Sequence, residues 1–242
     1  MDGTRAVFLD RDGVINPLIY HHDAGIVDSP FTLSQFTVFP RVPRAIRLLN
    51  DMGMVVIVVS NQPGIAKKHF DASLLSKVNR KLERALKTTG ARIDAIYYCL
   101  HHPDSKVKSL RMRCTCRKPG IGMLTRAARE FGLSLSESYM VGDGLTDIQA
   151  GSRAGCRTIF IGMWKCECCR FIRPSTLHPT FVARDLWEAV KRIRADLSVA
   201  STTSSTPLAR RDSSGQSRVG DSSHTIRKEM RARKRRRGSV PK

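Results

Sequence analysis

The chain alternates short apolar runs with longer amphipathic stretches from its start to about residue 197. The apolar runs are rich in β-branched residues, and they cover 6–10, 55–60, 93–99, 138–143, 157–162 and 180–184. The stretches between them show helical periodicity at 43–52, 72–89, 121–132, 145–154 and 185–197. Strands that are apolar on both faces and alternate with helices are typical of a parallel sheet covered on both sides. The pattern predicts a doubly wound, mainly parallel α/β fold, whose ligand site lies at the carboxyl ends of the strands.

The last part of the chain differs from the rest in composition. The periodic pattern predicts one α/β domain over 1–198, and the 41% hydrophobic content suffices for a full core. Residues 199–242 are Ser/Thr-rich and then Arg-rich, with few side chains to bury. Such a segment cannot offset the entropy lost on folding, so we expect a disordered basic tail.

Two negative features bear on location. No run approaches the roughly 18 to 20 apolar residues that span a bilayer. The N-terminal residues MDGTRAVFLD carry acid where a secretory signal carries base, and they lead directly into a strand. We therefore expect a cytoplasmic chain without a membrane partner. Its seven cysteines are then more typical of metal ligands or free thiols than of a disulfide scaffold.

Two carboxylates follow the first predicted strand, at Asp10 and Asp12, and Gly13 comes directly after them. The glycine allows the backbone to turn sharply near a ligand. Two carboxylates this close repel each other unless a cation or a shared proton lies between them, and Mg²⁺ would also bind a phosphate oxygen. The alternative interpretation is an acidic turn between a strand and a helix, because short motifs also occur by chance.

Polar groups suited to an anion follow two other segments. The second predicted strand ends in Ser60-Asn61-Gln62, and a hydroxyl followed by backbone N–H groups in a turn can hold phosphate oxygens. Arg117 and Lys118 directly precede a predicted helix, where two cations can neutralise a phosphate. Each feature also has an ordinary explanation, as turn chemistry in the first case and as a solvated basic loop in the second.

A third carboxylate position closes the fourth predicted strand, at Asp143 in the segment VGDGLTD. An isolated buried charge is costly, so packing alone does not explain it. Asp147 is open to two interpretations, since it lies in the first turn of the next helix and there orients or caps that helix as readily as it binds metal.

These four segments, DRDGV, VVSNQ, RKP and VGDGLTD, occur in the order typical of the haloacid dehalogenase superfamily of phosphohydrolases, which the chain resembles over residues 5–165. The resemblance implies that Asp10 attacks phosphorus to form an aspartyl-phosphate, and that Asp12 protonates the leaving alkoxide and then activates water. It implies that Ser60 and Lys118 hold the phosphoryl oxygens. It also implies a Mg²⁺ bound by Asp10, by the main-chain carbonyl of Asp12 and by Asp143. The substrate-binding residues expected with it are Arg11, Asn16, Ser60, Asn61, Gln62, Arg117 and Lys118.

A cluster of metal-ligating residues lies within 99–116. Cys99, His101, Cys114 and Cys116 offer three thiolates and an imidazole, the composition of a structural zinc site. The Cys-x-His and Cys-x-Cys spacings are tighter than usual for zinc. The position of the loop adds to the case, because it leads directly into Arg117 and would be flexible without a metal. The segment YYCLHHP…CTCRKP resembles the heptose bisphosphate phosphatase branch, related to the bacterial histidinol-phosphatases, in which this cluster binds zinc. We therefore expect zinc here rather than free thiols.

A second cysteine group, Cys166, Cys168 and Cys169, has a weaker case for metal. A second metal would need a fourth ligand such as His178 or the pair His21 and His22. Three cysteines without a clear partner are better explained as reduced surface thiols.

The substrate expected from the resemblance is D-glycero-D-manno-heptose 1,7-bisphosphate, which would lose its C7 phosphate. Two differences from the family pattern bear on this substrate. Gly144 stands where the family commonly has Lys, and residues 16–23 differ from the short loop with which family members recognise their substrate. Histidinol phosphate or another small phosphomonoester stays open as an alternative. Oligomeric state is not readable from the sequence.

The basic run at 227–237 suggests a different class of function from a small-molecule phosphatase, namely a protein that binds nucleic acid or processes its ends. Basic runs contact phosphate backbones. This run lacks the interleaved aromatic residues on which bases stack, and a solvated tail is the more frequent outcome.

Overall fold

The structure is a computed structural model that describes residues 3–162 and 178–203, with side chains described up to residue 199. Six parallel strands form the central sheet: β1 (Ala6–Leu9), β4 (Val55–Asn61), β5 (Ala95–Cys99), β6 (Tyr139–Gly142), β7 (Arg157–Ile161) and β8 (Phe181–Ala183). Five helices connect and cover them: α1 (Val42–Asp51), α2 (Ala72–Lys87), α3 (Gly122–Phe131), α4 (Leu145–Arg153) and α5 (Leu186–Thr203). A separate antiparallel hairpin is formed by β2 (Ile19–His21) and β3 (Ile26–Asp28).

The strand order β5-β4-β1-β6-β7-β8 places β1 near the centre of the sheet. Leu9 at its end is in register with Val58 on one side and with Val141 on the other. From β1 the chain builds outward to β4 and β5, and then crosses back to continue through β6. The crevice at such a reversal, beyond the carboxyl ends of the strands, is the usual ligand site of open α/β sheets.

Both faces of the sheet are buried, as the apolar strands predict. Along β1, Val7 and Leu9 pack into one core cluster with side chains of α1, α2 and α5, whereas Ala6 and Phe8 pack into a second cluster with α3. Successive residues of a strand point to opposite faces, so each apolar strand contributes to both cores. The doubly wound parallel fold predicted from the sequence is confirmed.

The C-terminal helix corrects one predicted boundary. Helix α5 ends at Thr203, so residues 199–203, expected at the start of the disordered tail, are helical. Extending an existing helix needs no new nucleus, which allows Ser, Thr and Ala residues of moderate propensity to continue it. The rest of the predicted tail lies outside the described residues.

The hairpin was not predicted, because its strands are three residues long and mix polar with apolar side chains. Stacked aromatic rings attach the hairpin to the rest of the domain. The His21 ring stacks on Phe31 with centroids 3.6 Å apart, and Phe31 stacks on His69 with centroids 4.4 Å apart. This stack joins the hairpin to the turn that follows β4. Within the described ranges, no helix is both long and apolar enough to cross a membrane.

Candidate active site

Lys118 lies at the centre of the site, between two carboxylates. Its Nζ is 2.9 Å from Asp10 Oδ1 and 2.6 Å from Asp147 Oδ1, and it donates to the carbonyl oxygen of Val59 at 2.7 Å. The side chain is only 1% exposed. Burial by itself lowers the pKa of Lys118, but the charges of Asp10 and Asp147 outweigh it and hold the pKa above its usual value. The lysine is therefore a buried, permanently charged ammonium.

Three carboxylates converge at the carboxyl edge of the sheet. Asp10 follows β1, Asp143 follows β6, and Asp147 lies in the first turn of α4, yet each offers a ligand atom within 4.8 Å of the others. Burial, and then the charges of Asp10 and Asp147, raise the pKa of Asp143 to about 7. Burial, and then the charge of Asp10, raise the pKa of Asp147 to about 6, although Lys118 acts in the opposite direction. Such mutual repulsion favours a bound cation.

Asp147 has the helix-capping role that its position suggested, and it also pairs with Lys118. Its Oδ2 accepts a hydrogen bond from the backbone N–H of Gly144 at 3.0 Å, which stabilises the first turn of α4. Its Oδ1 pairs with Lys118. The side chain thus links the start of a helix to the central cation.

Two glycines allow the loops of the site to approach each other. Gly13 has φ +83°, in the left-handed region that favours glycine, and a Cβ there would overlap the carboxylate of Asp143. A Cβ at Gly142 would overlap the side chain of Asp147. The loop after β1 and the end of β6 therefore lie in direct contact, which brings Asp143 beside Asp10.

Asp12 is enclosed by hydrogen-bond donors. Arg11 Nη2 lies 3.0 Å from each Asp12 oxygen, Asn16 Nδ2 donates to Oδ1 at 2.9 Å, and Gln62 Nε2 donates to Oδ2 at 2.6 Å. Burial lowers the pKa of Arg11, but the adjacent charge of Asp12 outweighs it and the pKa stays raised. The Arg11 guanidinium also lies over the ring of Tyr98, 5.5 Å from its centroid.

The last two residues of β4, Ser60 and Asn61, contact different groups. Ser60 Oγ accepts a hydrogen bond from Gln62 Nε2 at 3.0 Å, and both side chains are buried. The side chain of Asn61 makes two hydrogen bonds with the backbone of Lys118. Its Nδ2 donates to the Lys118 carbonyl and its Oδ1 accepts from the Lys118 N–H, each at 3.0 Å. This pair of bonds joins β4 to the segment 117–119 and fixes where the Lys118 side chain begins.

The cysteine cluster is formed by Cys99, His101, Cys114 and Cys116, whose ligand atoms also lie within 4.8 Å of one another. The three Sγ atoms are separated by 3.2 to 3.5 Å, and His101 Nδ1 is 3.3 Å from Cys116 Sγ. Ligands around tetrahedral zinc, with Zn–S bonds of about 2.3 Å, are roughly 3.8 Å apart. The thiols are free rather than disulfide-bonded. Burial, and then Cys116, raise the pKa of the Cys99 thiol, so three thiolates this close need a cation.

The loop that carries this cluster is attached to the turn after β4. Lys106 N–H donates to the Ala66 carbonyl at 2.8 Å, and Ser105 Oγ donates to the same oxygen at 3.2 Å. Arg117, directly after the last cysteine, donates from Nη1 to the carbonyl of His101 at 3.4 Å. The cluster and the segment 117–118 thus form one continuous piece of structure next to the site.

The structure brings together the residues predicted from the strand ends. Asp10, Ser60, Lys118 and Asp143 meet at one edge of the sheet, and the four predicted zinc ligands meet beside it. Three residues expected to bind substrate, Arg11, Asn16 and Gln62, are buried at 1% exposure or less, with their side chains hydrogen-bonded to Asp12. Arg117 is partly exposed at the rim. Cys166, Cys168 and Cys169 lie outside the described residues, as does the basic run at 227–237.

Two contacts were not foreseen from the sequence. The carbonyl of Val59 accepts from Lys118, and the hydroxyl of Tyr98 donates to Asn79 at 2.6 Å while its ring lies under Arg11. A backbone carbonyl carries no signal in a sequence. For Tyr98 the sequence offered one indication, which is its position in the predicted strand that follows β4 along the chain.

A parallel α/β sheet that carries carboxylates and a buried lysine at its carboxyl edge is the arrangement of haloacid dehalogenase-type hydrolases. The HAD-hydrolase-like family model matches residues 115–189. The D-glycero-β-D-manno-heptose-1,7-bisphosphate 7-phosphatase of Photorhabdus laumondii is 39% identical over 152 residues, which cover 63% of this chain and 77% of the relative. The enzyme of the same name from Escherichia coli K12 is 39% identical over 153 residues, covering 63% and 76%.

Solved structures agree with these relatives. The D,D-heptose 1,7-bisphosphate phosphatase from B. bronchiseptica, complexed with magnesium and phosphate, superimposes with a TM-score of 0.64 at 29% identity. That match covers 80% of this chain and 99% of the other. The corresponding phosphatase from Burkholderia thailandensis matches with a TM-score of 0.54 at 27% identity, covering 79% and 99%. The chain belongs to the heptose-bisphosphate phosphatase family of the haloacid dehalogenase superfamily, and it is a phosphatase.

Proposed function

We propose that the chain hydrolyses the C7 phosphate of D-glycero-D-manno-heptose 1,7-bisphosphate in a magnesium-dependent reaction. The observation that carries this proposal is the meeting of Asp10, Asp143 and Lys118 at one edge of the sheet. Phosphoryl transfer requires mainly positioned charge, and this edge combines an aspartate, a fixed ammonium and a carboxylate suited to a divalent cation. The substrate itself is suggested by the names of the relatives.

In the proposed first step, a carboxylate oxygen of Asp10 attacks phosphorus and the bond between phosphorus and the sugar oxygen breaks. Asp12 gives its proton to the departing alkoxide, so that a neutral alcohol leaves. Lys118 and the hydroxyl of Ser60 bind the oxygens of the transferring group. Two of the three Lys118 N–H donors are held by Asp147 and by the Val59 carbonyl, and the third, which faces Asp10, is the one that can turn to a phosphoryl oxygen.

In the second step, water attacks the aspartyl-phosphate and Asp12 takes up the proton that water loses. Free phosphate leaves and the Asp10 carboxylate is restored. Gln62, Asn16 and Arg11 surround Asp12 in both steps.

Magnesium fits the carboxylate group, because burial and then the charges of Asp10 and Asp147 raise the pKa of Asp143, and a hard cation would neutralise that negative charge. We propose Asp10, Asp143 and the main-chain carbonyl of Asp12 as its protein ligands. When bound, the ion would neutralise charge on the phosphoryl oxygens.

Zinc fits the cysteine cluster, since three thiols and an imidazole with separations of 3.2 to 3.9 Å form a closed four-ligand set. We propose that zinc is structural there and fixes the loop that leads to Arg117 and Lys118. The reduced thiols also suit a cytoplasmic location, which stays a prediction from the sequence.

The test is a substrate panel with the purified full-length chain, with released phosphate as the readout. The panel contains the heptose bisphosphate, histidinol phosphate, p-nitrophenyl phosphate and several sugar monophosphates, each with Mg²⁺ and with EDTA. We expect kcat/KM for the heptose bisphosphate to exceed the others by at least about tenfold, and EDTA to abolish turnover.

Two results would contradict parts of the proposal. Faster turnover of histidinol phosphate would overturn the substrate assignment and leave the reaction type intact. Full activity in EDTA, or in an Asp10→Asn variant, would overturn the reaction mechanism itself.

A further inference from the structure

Gln62 connects two groups of the active site that come from different strands. Its Nε2 donates to Asp12 Oδ2 at 2.6 Å and to Ser60 Oγ at 3.0 Å. Asp12 follows β1 and Ser60 belongs to β4, so this one amide group spans the crevice between them. The residue is 0% exposed, and its NH₂ group faces these two partners, whereas its Oε1 has no hydrogen-bond partner among the described residues.

The orientation of the amide is defined by its partners. When Asp12 is ionised its oxygens only accept hydrogen bonds, so the NH₂ end of the carboxamide is the end that faces it in that form. The backbone of Gln62 is also fixed, because its N–H donates to the carbonyl of Cys99 at 2.8 Å. Cys99 ends β5 and belongs to the cysteine cluster. Gln62 is therefore anchored to the sheet before its side chain reaches Asp12.

We propose that Gln62 is a positioning residue for the general acid and base, and that it does not bind substrate. This inference rests on the proposed roles of Asp12 and Ser60. By holding Oδ2, Gln62 restricts rotation of the Asp12 carboxyl group, so that the proton is delivered along one direction to the leaving oxygen. A misplacement of about 1 Å in such a group lowers a rate roughly 10²-fold.

The same amide sets the direction of the Ser60 hydroxyl. Ser60 Oγ accepts from Gln62, so the hydroxyl hydrogen points away from Gln62 and is left to donate to a phosphoryl oxygen. One side chain thus orients a proton donor for the leaving group and a hydrogen-bond donor for the transferring group.

The test compares leaving groups, because only a poor leaving group requires the proton from Asp12. In Gln62→Met, which keeps length and burial, we expect kcat/KM for the best sugar phosphate of the panel to fall about 10- to 100-fold. For p-nitrophenyl phosphate, whose leaving group departs without a proton, we expect a clearly smaller fall, because only the lost contact with Ser60 affects this substrate. Gln149→Met on α4 is the matched control and should leave both values unchanged.

A double-mutant cycle separates positioning from a general loss of structure. If Gln62 acts through Asp12, Gln62→Met in an Asp12→Asn background should have only the smaller effect seen with p-nitrophenyl phosphate. Thermal unfolding of each variant is measured in parallel. If Gln62→Met does not fold, Gln62→Asn, which keeps the amide but shortens its reach, replaces it in the same cycle.

Equal losses of kcat/KM for both leaving groups, or additive effects in the cycle, would overturn the positioning role. That failure is distinct from failure of the proposed function, which would appear as an Asp12→Asn or Asp10→Asn variant with normal turnover of the sugar phosphate.

Discussion

Lys118 Nζ lies 2.6 Å from Asp147 Oδ1 and 2.9 Å from Asp10 Oδ1, so a single buried ammonium joins the start of α4 to the end of β1. Lys118 carries one charge, and two carboxylates share it. Removal of either carboxylate takes away part of the negative charge that compensates the buried ammonium. Such a change lowers the free energy of unfolding more than the loss of a surface ion pair does.

Asp147→Asn is expected to lower stability by about 3 kcal/mol and to lower kcat, because Lys118 loses a buried partner and its fixed direction. For a chain of this size the loss corresponds to a fall in Tm of roughly 6–12 °C. Asp51→Asn, which removes a surface pair with Arg47, is the control and should change stability by less than about 1 kcal/mol. Similar Tm values for the two variants would contradict the central role of Lys118.

Asp10→Asn is expected to lower phosphate release by at least about 10³-fold while the chain stays folded. An amide occupies the same volume and still accepts from Lys118, so the packing of the site is kept. The measurement is phosphate release together with circular dichroism. Activity within tenfold of the unchanged protein would show that another group is the nucleophile.

Magnesium is expected to stabilise the protein more at pH 8 than at pH 6. The pKa of Asp143, raised to about 7, means that the metal-free folded state binds more protons than the unfolded state between about pH 4 and 7. Its stability therefore falls as pH rises through that range, and Mg²⁺ reverses the loss. The readout is the rise in Tm on addition of Mg²⁺ at each pH.

The control for this prediction is Asp143→Asn, in which the Mg²⁺-dependent rise in Tm should largely disappear at both pH values. An equal rise at pH 6 and pH 8 in the unchanged protein would mean that metal does not compete with protons for these carboxylates.

Cys114→Ser is expected to reduce zinc content and Tm together, because the serine hydroxyl is a poor zinc ligand and the loop 99–116 loses its cross-link. Zinc is measured by elemental analysis of the purified protein. Cys156→Ala provides the comparison, since Cys156 is buried in the same apolar core but is not one of the four ligands, and its loss should leave zinc content unchanged. Unchanged zinc in Cys114→Ser would exclude this cysteine as a ligand.

Gly13→Ala is expected to lower both activity and Mg²⁺-dependent stabilisation, because the added methyl group overlaps the Asp143 carboxylate. Gly25→Ala separates this overlap from backbone strain. Gly25 also has positive φ, at +60°, but a Cβ there meets nothing within 4 Å. Both variants carry the roughly 1–2 kcal/mol cost of the left-handed conformation, and only Gly13→Ala should affect the site.

The sequence was sufficient to predict the sheet and the position of the site. Leu9 and Val58 lie in runs that are apolar on both faces, and this property belongs to the residues themselves. Because parallel strands end at one edge, Asp10, Ser60 and Asp143 could be placed together without coordinates. The number of ligands and the family resemblance likewise predicted that the three cysteines and His101 form one zinc set.

The hairpin at 19–28 was not predicted from the sequence. Short or weakly patterned segments take their conformation from what they pack against. His21 is held by Phe31, and Phe31 by His69, which is 48 residues further along the chain than His21. No local pattern encodes such a stack.

The chain's residue types and their order thus determined the fold class, the edge of the sheet that carries the chemistry, and the set of charged groups placed there. Only the tertiary structure decided which partner each group faces: Asn61 the backbone of Lys118, Gln62 the carboxylate of Asp12, and Asp147 the ammonium of Lys118. The reason is that the direction of a side chain depends on segments that are remote in sequence, and these meet only when the sheet has assembled.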